Sequence, residues 1–220
     1  MPRALVTGVA LAGGIAAGIL TRLQSDGWDV VTSDLSGSDL DCDLSLPDTP
    51  GDLVSEAVRL HGPLDAMVLS HSHDVETGIL DTTAESFDRH VAVNARAALL
   101  MIAAFARQAV DGGAIVALTS DATTGNLPYG ASKGALDRIV ISAARELGPL
   151  GISANVLNPG PIDTGWMDDD TRAGLLPHHP HGRLGEPRDV ADVVAFLVSP
   201  AGRWISGQLL HADGGFSARF

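Results

Sequence analysis

Residues Ala4-Leu5-Val6-Thr7-Gly8-Val9-Ala10-Leu11-Ala12-Gly13-Gly14-Ile15-Ala16 decide the fold. A short apolar strand breaks into a glycine-rich turn and resumes as a helix. Such a turn lets backbone N–H groups approach a pyrophosphate, and the helix N-terminus favours its negative charge. Gly8 makes the tight turn, and Gly14 permits the close approach. The next strand ends in Asp34, twenty residues after Gly14. A carboxylate there accepts both ribose hydroxyls of an adenosine and repels a 2′-phosphate. No Arg or Lys adjoins it, so NAD is expected over NADP.

Working outward, short apolar runs alternate with helical patterns. Strands are expected at Ala4–Thr7, Trp28–Ser33, Leu40–Asp43, Ala66–Ser70, Ala114–Thr119, Ser153–Leu157 and Gln208–His211. Most are continuously apolar, which suits strands covered on both faces. One helix carries Leu136, Ile139, Val140, Ala143, Ala144 and Leu147 on a single stripe and stops at Gly148-Pro149. Others are expected from about Ala84 through Val110 and from Pro187 through Val198. Ser36–Gly51 and Pro159–Gly185 read as loops. This alternation implies right-handed crossovers and a three-layer, doubly wound parallel α/β sheet of about seven strands, a Rossmann fold with helices on both faces. The whole of 1–220 is expected to form one domain.

The chain has 220 residues and a formal net charge of −13, with 45% apolar and 19% charged residues. That excludes a disordered or fibrous chain and argues against binding to nucleic acid or an anionic membrane. The apolar run Leu99–Ala106 is too short to span a bilayer. With one cysteine, Cys42, and no secretory leader pattern, a cytoplasmic location is expected. His178, His179 and His181 lack helical His-x-x-x-His spacing and are interrupted by Pro180, so no metal site is expected. They suit a polar lid able to meet an acidic or hydroxylated substrate. The run Asp168-Asp169-Asp170 reads as a solvated turn or a helix start.

Thirteen of the fourteen basic side chains are Arg, and the single Lys133 lies one helical turn from the single Tyr129. Pro128 suits the first turn of that helix. An ammonium near a phenol stabilises the phenolate and lowers its pKa, which makes Tyr129 a general acid for a carbonyl or a base for an alcohol.

These segments, taken in order, resemble the short-chain dehydrogenase/reductase family nearly end to end. The resemblance rests on Thr7-Gly8, Asp43-Leu44, Val93-Asn94-Ala95, Gly113 through Ser120, and Tyr129-Gly130-Ala131-Ser132-Lys133. It continues through Glu146-Leu147-Gly148-Pro149, Asn155, Pro159 through Thr164, Arg183 through Pro187, and Ile205 through Gly215. It implies Tyr129, Lys133, Ser120 and Asn94 as the catalytic set. Tyr129 transfers the proton, Lys133 binds the nicotinamide ribose, Ser120 holds the substrate oxygen, and Asn94 positions a relay water. It implies Gly8, Gly14, Ile15, Asp34, Asp43, Leu44, Ser70, Gly160, Ile162 and Thr164 around the cofactor, besides Tyr129 and Lys133. Ile162 and Thr164 would hold the carboxamide. The implied activity is hydride transfer between NAD(H) and a small alcohol or carbonyl substrate, in a homodimer or homotetramer formed through the long helices and the Phe216–Phe220 segment. A cofactor-binding or assembly protein of the same fold without turnover is the alternative.

Four departures stand out. One family glycine is Ala in either alignment of the turn. The first takes Ala12 in place of the second glycine. The second allows a loop two residues longer, makes Gly14 the second glycine and puts Ala16 in place of the third; it aligns better with Leu23 and Gly27. The family's Asn-Asn-Ala-Gly is Leu69-Ser70-His71-Ser72, which loses both amides and brings an imidazole toward the expected path of the cofactor ribose. Only eight residues separate Asp34 from Asp43, so the usual helix before strand three is expected to be mostly missing. Eight also separate Ser120 from Tyr129, in a loop expected to border the substrate.

Overall fold

The computed structural model describes residues 1–122, 124–165 and 167–218. Seven strands form one sheet in the order β3-β2-β1-β4-β5-β6-β7, and all six pairings are parallel. The strands are β1 Arg3–Thr7, β2 Asp29–Asp34, β3 Leu40–Asp41, β4 Ala66–Leu69, β5 Gly113–Leu118, β6 Ile152–Asn158 and β7 Leu209–His211. β1, β4, β5 and β6 are buried almost throughout, because helices cover both faces.

The helices are α1 Ile15–Ser25, α2 Thr49–His61, α3 Ala84–Val91, α4 Ala97–Gln108, α5 Leu127–Leu147, α6 Asp169–Leu175 and α7 Pro187–Val198. On one face Leu53, Met101, Phe105, Leu136 and Val140 pack against Leu5, Met67 and Ile115. On the other, Ile19, Leu23, Val190 and Val194 pack against Val6, Val68 and Val116. Alternate residues of each strand supply the two cores, as the pleat requires.

Two segments expected as loops carry structure. Ser36–Gly51 contains β3 and the first turn of α2. That helix buries Leu53, Val54 and Ala57 at helical spacing, and its Pro50 lies in the first turn, where a missing N–H costs nothing. Pro159–Gly185 contains α6 and a 3₁₀ turn at Leu176–His178. Asp168 caps α6 by accepting from the Thr171 N–H at 2.7 Å, so the acidic run is a helix start. No helix separates β2 from β3.

The long helix expected from Ala84 is continuous to Gln108 but contains a π turn at Ala92–Arg96, where the Ala97 N–H reaches back five residues to the Ala92 carbonyl. Ala84–Gln108 is long and apolar enough to cross a membrane. Half of that window is buried inside the protein, as in a core helix.

Beside the π turn, His71 fastens the sheet to the helix. Its Nδ1 lies 2.7 Å from Thr7 Oγ1 at the end of β1, and its Nε2 lies 3.2 Å from the Val93 carbonyl. Burial and the Lys133 charge hold this imidazole neutral, with its pKa lowered to about 4.

Two measurements test this packing. Phe105 is fully buried, and Phe105→Ala is expected to cost about 3–5 kcal/mol in urea unfolding. His71 is neutral in the fold but takes up a proton in the unfolded chain near pH 6.5. Its contribution is therefore complete above that pH and is lost as pH falls toward 4. Allowing for partial exposure, the loss is on the order of 2 kcal/mol. His71→Gln is expected to flatten the stability–pH curve over that interval, and an unchanged slope would refute this account.

Candidate active site

Chain order reverses across β1, whose neighbours are β2 and β4, and a crevice opens at the carboxyl ends of the parallel strands. Gly8 follows β1 on one side of the crevice and Ser70 follows β4 on the other. Gly8 takes φ +81°, and a Cβ there would stand 2.7 Å from the His71 backbone nitrogen. Only glycine meets both demands.

A cleft of about 470 Å³ runs from this point and is lined by Gly8, Asp34, Asp43, Leu44 and Ser70. All five were expected at the cofactor. The cleft also brings in Ala10, Leu35, Cys42, Ser72, His73 and Arg89, which the sequence reading did not assign to the cofactor. Asp34 Oδ2 accepts from the Ala10 N–H at 2.8 Å, and Oδ1 accepts from the Leu35 N–H at 2.7 Å. The carboxylate thus fixes the glycine turn as well as facing the cleft. Asp43 accepts from Ser45 and stands 4.0 Å from Arg89, which together hold its carboxyl below the usual range. The cleft's volume, its carboxylates and its apolar Leu35 and Leu44 fit the nucleoside half of a dinucleotide.

Gly14 is the N-cap of α1 and Ile15 its first helical residue. Gly13, with φ +82°, makes the bend before it. His71 does line the cleft, but its ring nitrogens are turned to Thr7 and Val93.

Tyr129 and Lys133 lie on α5, and Ser120 follows β5. The phenol is mostly enclosed, and burial is the largest influence on it, with the Ser72 and Ser120 side chains acting in the opposite sense. Lys133 is 2% exposed. Its Nζ donates to the Leu118 carbonyl at 2.9 Å and stands 5.6 Å from the centre of the Tyr129 ring. Burial lowers its pKa to about 8, against the opposing pull of Asp137 and Asp74. The expectation that Lys133 lowers the phenol's pKa is corrected here. Burial and the nearby Asp74 charge push Tyr129 up, while the serine hydroxyls pull it down.

Asn94 sits in the π turn and is 1% exposed. Its Oδ1 accepts from the His73 N–H at 2.7 Å and from Ser72 Oγ at 3.3 Å. Its Nδ2 donates to the His73 carbonyl and to Ser132 Oγ, both at 2.9 Å. All four of its hydrogen-bonding positions are filled by protein groups. The amide therefore joins β4, the π turn and α5.

Gly160, Ile162 and Thr164 follow β6. Ile162 is buried and bridges Gly185, and Asp163 pairs with Arg172, so the segment is held at its middle. The histidine segment lies to one side. His179 packs on Phe216 with ring centres 4.8 Å apart, in a separate small cleft with His181, Arg183 and Asp213. Of the tail expected at an interface, Arg219 and Phe220 lie outside the described residues.

Comparison with known proteins gives this arrangement a lineage. A family model described as enoyl-(acyl carrier protein) reductase matches residues 8–217. An uncharacterized oxidoreductase of Bacillus subtilis (strain 168) is 40% identical over 158 residues, which are 68% of this chain and 63% of that protein. A short-chain dehydrogenase/reductase of Armillaria gallica is 34% identical, with 96% of this chain and 94% of that protein aligned. A metagenomic blue fluorescent protein, solved in complex with NADPH, superposes with a TM-score of 0.91 at 32% identity, covering 99% and 98% of the two chains. The parallel sheet, the crevice at its carboxyl edge and these matches agree: the chain belongs to the short-chain dehydrogenase/reductase family and has the nicotinamide-dinucleotide-binding fold of its oxidoreductases.

Proposed function

We propose that this protein interconverts an alcohol and a carbonyl compound, with Tyr129 as the general acid–base and NAD(H) as the hydride carrier. The observation that carries this reading is the enclosed Tyr129 phenol, with the Ser120 hydroxyl beside it and the buried Lys133 ammonium one turn away. When bound, the nicotinamide supplies or accepts the hydride. The chain's own groups manage the oxygen of the substrate. Ser120 Oγ accepts from the Ala122 N–H at 3.2 Å, which leaves its own proton for the substrate oxygen. Tyr129 then gives its proton to that oxygen in reduction, or takes it in oxidation. Lys133 provides a buried positive charge one turn from the phenol, placed to hold the nicotinamide ribose when the cofactor is bound. Asn94 ties the end of β4 to the helix that carries Tyr129.

Asp34 supports NAD over NADP, since a 2′-phosphate would meet its carboxylate. The guanidinium on the cleft wall, Arg89, is drawn toward Asp43. We further propose a homodimer through α4 and α5, where Leu99, Ile102, Ile139 and Leu147 line an apolar groove of about 370 Å³. A cytoplasmic location accords with the free thiol of Cys42.

Titrating the protein into NADH and NADPH, followed by cofactor fluorescence, is expected to show NADH binding at least about tenfold more tightly, roughly 1.4 kcal/mol. Binding of neither would remove the oxidoreductase assignment. Against a panel of ketones and alcohols, Tyr129→Phe is expected to lower kcat by about 10²–10⁴ while leaving NADH affinity nearly unchanged. Retained turnover in that variant would take the proton-transfer role away from Tyr129.

A further inference from the structure

The π turn at Ala92–Arg96 reaches in two directions. Residues two apart on a helix point to nearly opposite sides, since each step turns the chain by about 100°. Asn94 reaches the end of β4 and α5. Arg96 reaches the loop between β3 and α2, where its Nη2 donates to the Ser45 carbonyl. That loop carries Asp43 and Leu44, which line the cleft fitted to the nucleoside half of a dinucleotide. The loop needs anchors, because the strand before it is minimal. β3 is two residues long and pairs with β2 only at Ser33–Leu40 and Asp34–Asp41. The Asp43 carboxylate accepts from the Ser45 N–H at 2.8 Å, a bond within the loop itself. Its pair with Arg89 is open, at 4.0 Å between two exposed side chains. Among the described residues, the Arg96–Ser45 bond is therefore the hydrogen bond that ties the loop's main chain to the helix, and the guanidinium makes it a charge-assisted one. Arg96 Nε is buried without a partner among the described residues, a cost that is borne where Nη2 gains Ser45.

We propose that Arg96 is a positioning residue for the cofactor: it holds the Ser45 carbonyl, and through it Asp43 and Leu44, at the wall of the adenosine pocket. This rests on the dinucleotide-binding role given to the cleft above. Arg96 does not line the cleft, so it acts only through the loop. One five-residue turn thereby serves both halves of the site. Its Arg96 side sets the adenosine wall, and its Asn94 side sets the helix that carries Tyr129 and Lys133. Loss of the Arg96 donor falls on the adenosine half and spares the nicotinamide half.

Half-cofactors separate the two ends. ADP-ribose carries the adenosine and pyrophosphate, and reduced nicotinamide mononucleotide carries the other half. Calorimetry reads the binding of each without substrate. Arg96→Met keeps an apolar stem and removes the donor. It is expected to weaken ADP-ribose about tenfold and to leave the mononucleotide within about twofold of the parent. Arg96→Lys keeps a charged donor and has no Nε to leave open. It is expected to bring ADP-ribose back to within about threefold of the parent. Unchanged ADP-ribose affinity in Arg96→Met overturns the proposal. So does an equal loss of the mononucleotide, which marks a general loosening of the site, and so does a Lys variant as weak as the Met one. Turnover of the same chains separates this from the reading beneath it. With an active parent, Arg96→Met is expected to raise KM for NADH about tenfold with kcat nearly unchanged. The expected ADP-ribose loss in a chain that turns over no ketone or alcohol upholds the role of Arg96 and removes the oxidoreductase assignment. Turnover with ADP-ribose binding indifferent to Arg96→Met does the reverse.

Discussion

The site depends on the four hydrogen bonds of the Asn94 amide. A buried amide left with an open valence is costly, so the surrounding segments are drawn to it from three directions. The His73 backbone comes from the end of β4, Ser132 from α5, and Ser72 from the turn between them. Ser132 lies between Tyr129 and Lys133 in sequence, and its Oγ also donates to the Tyr129 carbonyl at 2.7 Å. The amide thereby fixes the helix that carries the phenol. A π turn suits this task, because the extra residue swings Asn94 off the regular helical face.

His71 repeats the logic one layer away. Where the family has small or amide side chains, an imidazole links the end of β1 to the π turn. Both ring nitrogens are used, so the ring's bulk is accommodated by inward packing and the cleft remains beside it. The departure that looked most disruptive in the sequence is a structural fastening.

Much of this was legible in the chain. Continuous apolar runs gave the buried strands, and strand–helix alternation gave the parallel sheet, because both follow from local periodicity. The Gly8 turn, Asp34 and the Tyr129–Lys133 spacing were legible for the same reason, since each is a short-range pattern with one physical meaning. Other features were hidden because they arise between distant segments. Nothing near Asn94 announces that residues 72, 73 and 132 will exhaust its amide. The Tyr129 shift comes first from burial by the assembled fold and then from Asp74, which is 55 residues away in sequence. Helix α2 was obscured because Pro50 and Gly51 signal a loop until the apolar spacing behind them is counted.

The bond from the Ala10 N–H to Asp34 has a consequence for the arrival of a cofactor. A glycine-rich turn is ordinarily the most mobile part of such a crevice, and a ligand that closes around it must freeze many backbone states. Here the acidic end of β2 holds that turn in place through folding alone. A dinucleotide entering the cleft meets a preorganised rim, so little of its interaction energy goes into ordering the loop and more of it appears as affinity.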